Sequence, residues 1–259
     1  MSASKCMVVL SGGQDSTTCL YVAKQTFEEV HAITFDYGQK HSIEIKAADT
    51  IARMAGVASH QVVNVQGLLH SRSPLVDASA ELERYQSFEQ MDKVIGDRVE
   101  LTFVPMRNMF FLVMAANRAL ELDIRDLYTG VCQADNANYP DCRESFVQQT
   151  SMAISMALGL DKAGMGPLFQ IHTPLMHMSK AESIQLATKL PGCMEALAYS
   201  HTAYDGRYPP TGNDHASVLR AHGFEEAGLP DPLVVRAWRE GLMILPDTPN
   251  YEGLQNVQS

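Results

Sequence analysis

The chain is predicted to be an α/β protein built on a parallel sheet, with a small helical lobe at its C-terminal end. Three observations predict this. Apolar runs of strand length alternate with segments of helical spacing over the first 65 residues, the rhythm of a parallel sheet with crossover helices. The first apolar run leads into a Ser-Gly-Gly turn that opens a helix, as the first βα unit of such sheets does. The 259 residues, 46% hydrophobic and 19% charged, supply a full core and exclude a disordered or fibrous chain.

In order, "CMVVL" (6–10) and "VHAITFDY" (30–37) read as buried strands, and "STTCLYVAKQ" (16–25) and "IEIKAADTIARMAG" (43–56) as helices. Gly56 stops the second helix and "HQVVNV" (60–65) is a third strand. Residues 66–102 are polar and mixed in sign; they predict a mobile insertion over a site. "NMFFLVMAANRALELD" (108–123) and "RESFVQQTSMAISMALG" (143–159) predict helices, and "DLYTGV" (126–131) and "FQIHTPL" (169–175) strands. Ser179 and Glu182 have the spacing of a capping box at the start of another helix, which Pro191 and Gly192 are expected to close. Beyond 193 Pro, Gly and His become frequent, so the expected division is a main domain over 1–192 and a lobe over 193–259.

Twenty Lys and Arg against thirty Asp and Glu give a net charge of −10, which opposes general attraction to nucleic acid or anionic membranes. The longest apolar stretch, near "MFFLVMAA", falls short of the roughly 18 to 20 residues that span a bilayer. The amino terminus lacks a secretory pattern, and the five scattered cysteines read as reduced thiols. A cytoplasmic location is expected.

The turn S-G-G-Q-D-S at 11–16 places backbone N–H groups at a helix amino terminus, a geometry that favours anions. Gly12 and Gly13 permit close approach, and Ser11, Ser16 and Thr17 offer hydroxyl donors. The loop has no lysine, so hydrolysis of a γ-phosphate is not the expected chemistry.

That turn resembles the pyrophosphate loop of ATP pyrophosphatases, which split ATP to AMP and pyrophosphate while activating an acid or carbonyl oxygen. "TFDYGQKH" (34–41), "FVPMRN" (103–108), "GVCQADNANYPDCRESF" (130–146) and "TPLMHMSKAE" (173–182) narrow the resemblance to the 7-cyano-7-deazaguanine synthase family. The motifs stand in order and cover roughly residues 5 to 190. The resemblance implies a doubly wound, Rossmann-like parallel sheet with ATP at its carboxyl edge and, often, a homodimer. It implies that Ser11, Gly12, Gly13, Asp15, Ser16 and Thr17 hold the phosphates, with Asp15 a magnesium contact. Arg107, Asn108 and Gly130 would line the nucleotide site, and Arg107 and Lys180 would neutralise the leaving pyrophosphate. Tyr37, Gln39, Asp135, Tyr139, Asp141 and Arg143 would hold the acid substrate, 7-carboxy-7-deazaguanine. Of these, the Tyr139 ring can stack on a deazapurine, Asp141 can accept from its amino-pyrimidine edge and Arg143 can pair with its carboxylate; "NYPDC" is otherwise a plain turn.

One departure is plain. The family carries zinc on a cysteine followed by a C-x-x-C-x-x-C run, and aligning those positions gives Ala203, Thr211, Asp214 and Ser217. Alanine and threonine cannot bind zinc there, so zinc is expected to be absent. With the ATP motifs kept and the acceptor side changed, the expectation is an ATP-dependent ligase that adenylates the acid and couples it to an amine, such as a protein amino terminus, in antiviral defence. Asp214 would then receive or deprotonate the amine. The alternatives are a nitrile-forming synthase using ammonia, for queuosine or deazapurine-DNA modification, and an inactive nucleotide-binding module.

Overall fold

The structure, a computed structural model, describes residues 4–38, 43–77, 79–133, 138–162, 168–204 and 206–254. Strands β1 (Lys5–Val9), β2 (Glu29–Asp36), β3 (Ser59–Asn64), β4 (Asp126–Tyr128) and β5 (Gln170–His172) form one parallel sheet in the order β3-β2-β1-β4-β5. Register runs Val8↔Ala32 between β1 and β2 and Val8↔Tyr128 between β1 and β4. Alternate residues of β1 serve opposite faces. Cys6 and Val8 pack with Leu20 and Ile51 on one side, while Met7 and Val9 pack with Leu112, Ile154 and Phe169 on the other. The first face is covered by α1 (Gln14–Thr26) and α2 (Ile43–Ala55), the second by α4 (Arg107–Glu121) and α5 (Glu144–Ala157). Both faces are thus dry, which explains the near-continuous apolar strands.

Part of the 66–102 segment packs against the C-terminal region. It carries α3 (Phe88–Ile95), capped by Ser87, whose hydroxyl accepts from the Gln90 N–H. Met91 and Ile95, with Tyr85, bury against Val218 and Leu219 of α8 (His215–Glu226). A short charged helix of this kind gains its stability from the tertiary contact, so the polar sequence alone suggested a loop.

Helix α6 (Lys180–Thr188) begins in the expected capping box of Ser179 and Glu182 but ends before Pro191. Gly192, with φ of 80°, instead starts α7 (Cys193–Leu197). Cys193, Ala196 and Leu197 belong to the core that also holds Leu20 and Ile51, so packing continues across the division expected after residue 192. Helix α9 (Pro232–Arg239) closes the set of helices described. No described helix is long and apolar enough to cross a membrane.

The C-terminal region is held by a buried ion pair. Arg220 donates from Nε and Nη2 to the two Asp231 oxygens at 2.7 and 2.8 Å. Its Nη1 reaches Ser200 and Thr202 at 2.8 and 2.9 Å, and Nη2 reaches the Leu197 carbonyl. The pair ties α8 to the start of α9 and to the chain after α7. Asp231→Ala leaves a buried guanidinium without its counter-charge and is expected to lower stability by about 3 to 5 kcal/mol, read as a lower urea midpoint at unchanged m-value.

Candidate active site

In sheets of this order the strands reverse their progression between β1 and β4, and the loops leaving the two strands part to open a crevice. A cavity of about 290 Å³ sits there, lined by the β1–α1 turn, the ends of β2 and β4, the start of α4, and residues from α6 and α8. That volume is at the lower end for one small-molecule ligand.

Two glycines allow the crevice to form. Gly12 has φ of +86°, and a Cβ there would lie 2.4 Å from the Glu44 carbonyl and 2.8 Å from the Ala48 nitrogen of α2. Gly130 lets the chain after β4 press on the start of α1, where a Cβ would come within 2.8 Å of the Ser16 nitrogen. The turn is tightened from within. Ser16 Oγ donates to the Gly13 carbonyl at 3.1 Å and lies 3.0 Å from Ser11 Oγ, while the Gly13 N–H donates to Ser11 Oγ. From the C-terminal region the His201 N–H donates to the Gly12 carbonyl at 2.8 Å. Lys180, the first residue of α6, donates to both Asp15 oxygens at 3.0 and 2.9 Å.

Opposite the turn, Arg107 opens α4 amid phenols and acids. Burial disfavours its charge, but Tyr37, Tyr139, Tyr204 and Asp141 reverse this and hold the guanidinium more basic than usual. Tyr37 is hydrogen-bonded to it, and burial pushes that phenol up to about 12. Glu44 is pushed up to about 7 by burial, with Arg107 acting against the rise. Phe35 stacks on Phe111 with centroids 4.5 Å apart, and Tyr37 lies 5.5 Å from Phe111. All three line the cavity and form an aromatic wall suited to a planar heterocycle.

Of the expected site residues, Ser11, Gly13, Asp15, Ser16, Tyr37, Arg107, Asn108, Gly130, Tyr139 and Lys180 line this one cavity. Gln39 and Asp135 lie outside the described residues. Gly12 stands behind the turn, as the close approach to α2 requires. Four others stand outside the cavity lining. Thr17 is fully buried and its hydroxyl turns back to the Gly13 carbonyl at 2.8 Å. Asp141 accepts from the Asn108 N–H at 3.2 Å, so its carboxylate serves the α4 amino terminus, where Met106 supplies no cap. Arg143 is exposed and precedes α5. Asp214 caps α8, one oxygen accepting from the Ser217 N–H at 3.0 Å and the other from Ser217 Oγ at 2.8 Å.

Sequence reasoning passed over Glu44, Tyr204 and Gln14, which line the cavity together with His215. Glu44 stood in the sequence three residues after "TFDYGQKH", in the first turn of a predicted helix beginning at 43, which was its only signal.

The four positions where the resemblance expects zinc do not fit that ion. Ala203 is buried, Thr211 donates to Asn213, and Asp214 and Ser217 satisfy each other. Among the described residues no group of three or more His, Cys, Asp or Glu is placed to hold a metal.

Residues 5–228 match the family described as queuosine biosynthesis protein QueC. A 7-cyano-7-deazaguanine synthase of Gloeobacter violaceus is 45% identical over 231 residues, which cover 88% of this chain and 95% of that protein. Proteins of the same name from Laribacter hongkongensis and Chromobacterium violaceum are each 46% identical, covering 89% and 92% of this chain and 94% and 97% of theirs. With its Ser11–Ser16 turn, its switch-point crevice and near end-to-end similarity to these proteins, the chain belongs to the QueC family.

Proposed function

We propose that the protein is a nitrile-forming synthase that uses ATP and ammonia to convert 7-carboxy-7-deazaguanine to 7-cyano-7-deazaguanine. The observation that carries this reading is the Ser11–Ser16 turn at the switch point, faced by Arg107 on one side and Lys180 on the other. The name borne by its relatives favours the nitrile over conjugation to a protein amine. Asp214, expected to handle such an amine, has both oxygens engaged by Ser217.

In the first step a carboxylate oxygen attacks the α-phosphorus and the bond to pyrophosphate breaks. The N–H groups at the start of α1 and the hydroxyls of Ser11 and Ser16 receive the leaving charge. Arg107, held fixed by its phenols, meets the acid and the α-phosphate. Lys180, held at the wall by Asp15, meets the pyrophosphate. Asp15 and the serines are hard oxygen donors of the kind magnesium takes beside phosphates, and the ion would add counter-charge there. Ammonia then attacks the acyl adenylate and AMP leaves. A second ATP activates the amide oxygen, and loss of two protons with AMP gives the nitrile. The Phe35–Phe111–Tyr37 wall stacks the deazapurine throughout.

Incubation with ATP, magnesium and the acid is expected to give AMP, with free nitrile of the calculated mass only when ammonia is present. Mass gained by a partner polypeptide instead would overturn the reading. Asp15→Asn and Lys180→Met are each expected to cost about 100- to 1000-fold in kcat, measured as AMP release; turnover within threefold of the parent would refute their role.

Glu44 yields a separate expectation. Its folded pKa of about 7 exceeds its ordinary 4.5, so between these values the folded chain binds more protons than the unfolded one. Stability is then lost as pH rises through that window. Glu44→Gln is expected to remove this loss, so that the variant gains melting temperature relative to the parent between pH 5 and 8; parallel curves would contradict the raised carboxyl.

A further inference from the structure

Two side chains on the cavity wall are buried without partners. Gln14 is 3% exposed and neither its Oε1 nor its Nε2 makes a hydrogen bond. His215 is 4% exposed and both ring nitrogens are unpaired. Leaving four polar atoms unmet is costly, and both residues belong to the cavity lining. The two flank the Asp15–Lys180 pair. Gln14 precedes Asp15 in the chain, and the Lys180 charge acts on the His215 ring.

We propose that Gln14 and His215 form the subsite that receives ammonia, and that His215 takes the proton released as the C–N bond forms. The inference rests on the ammonia-using reading above. Ammonia has three N–H donors and one lone pair, which must point at the acyl carbon. A site for it therefore needs acceptors behind the nitrogen, and the Gln14 oxygen and a bare imidazole nitrogen are two. The ring is held neutral chiefly by burial, which disfavours its cation; the Glu100 charge opposes this, and the smaller effect of the Lys180 charge acts with burial. Its place in the first turn of α8 adds to this. Lys180 also repels ammonium, so the site selects the nucleophilic form.

Other bases on the wall are engaged. Asp15 holds Lys180 with both oxygens, the His201 ring lies 2.8 Å from the Ala203 carbonyl, and Glu44 neighbours Arg107. The step balances: ammonia adds to the acyl carbon, the C–O bond to AMP breaks, and one proton passes to the ring, giving amide, AMP and imidazolium, which returns its proton to solvent.

Two half-reactions separate the outcomes. Acid-dependent exchange of labelled pyrophosphate into ATP reports adenylation without ammonia; amide mass reports the ammonia step. His215→Ala is expected to keep exchange within threefold while amide formation falls about 100-fold, with partial recovery on adding free imidazole. His215→Gln, which retains an acceptor but no base, is expected to hold the KM for ammonium salts near the parent's while kcat falls. Gln14→Leu is expected to raise that KM at least tenfold. Amide formation undiminished in His215→Ala, or a fall in exchange equal to the fall in amide, would overturn the proposal. Absence of exchange in the parent protein would instead sink the adenylation reading on which it rests.

Discussion

The ion pair between Asp15 and Lys180 is the constraint around which the site is arranged. Asp15 belongs to the first turn of α1, leaving β1; Lys180 begins α6, after β5. The pair therefore joins the two halves of the sheet across the point where strand order reverses. At 2.9 to 3.0 Å, with the lysine side chain only 10% exposed, it fixes a cation at the mouth of the phosphate turn. Its position is enforced from behind. A Cβ on Gly223 of α8 would fall 2.4 Å from Lys180 Cγ, so the glycine is the space into which the lysine stem is laid. A helix-interior glycine is costly in itself. Here that cost is offset by letting α6 and α8 approach closely enough to aim the ammonium group.

What the sequence disclosed and what it concealed divide along physical lines. Strands β1 and β2 were legible because burial on both faces makes them largely apolar, and the α6 capping box because its signal spans four residues. The phosphate turn was equally local. Arg107 and Lys180 had no such signal and entered through resemblance; their convergence depends on topology joining segments more than 70 residues apart. Thr17, Asp141 and Asp214 show the converse difficulty. Short polar side chains that cap helices are chemically the same ones that hold ligands, and only coordinates reveal whether a carboxylate faces an N–H of its own chain or a cavity. Helix α3 was missed for a related reason: its Met91 and Ile95 have meaning only once Val218 and Leu219 are opposite them.

The C-terminal region poses a mechanical problem that its ion pair answers. Here Arg220 gathers the Leu197 carbonyl, Ser200, Thr202 and Asp231 around one guanidinium, and Asp231 also accepts from the Leu233 N–H to cap α9. A planar cation with five donors can tie several segments at once, and its charge is matched by Asp231 inside the core. Within this frame His201 reaches the Gly12 carbonyl and α8 presents His215 to the cavity. The His215 ring nitrogens make no hydrogen bond there. A ring left bare beside a lysine keeps its lone pair, and the stability lost in burying that nitrogen unpaired becomes affinity for whatever small donor meets it.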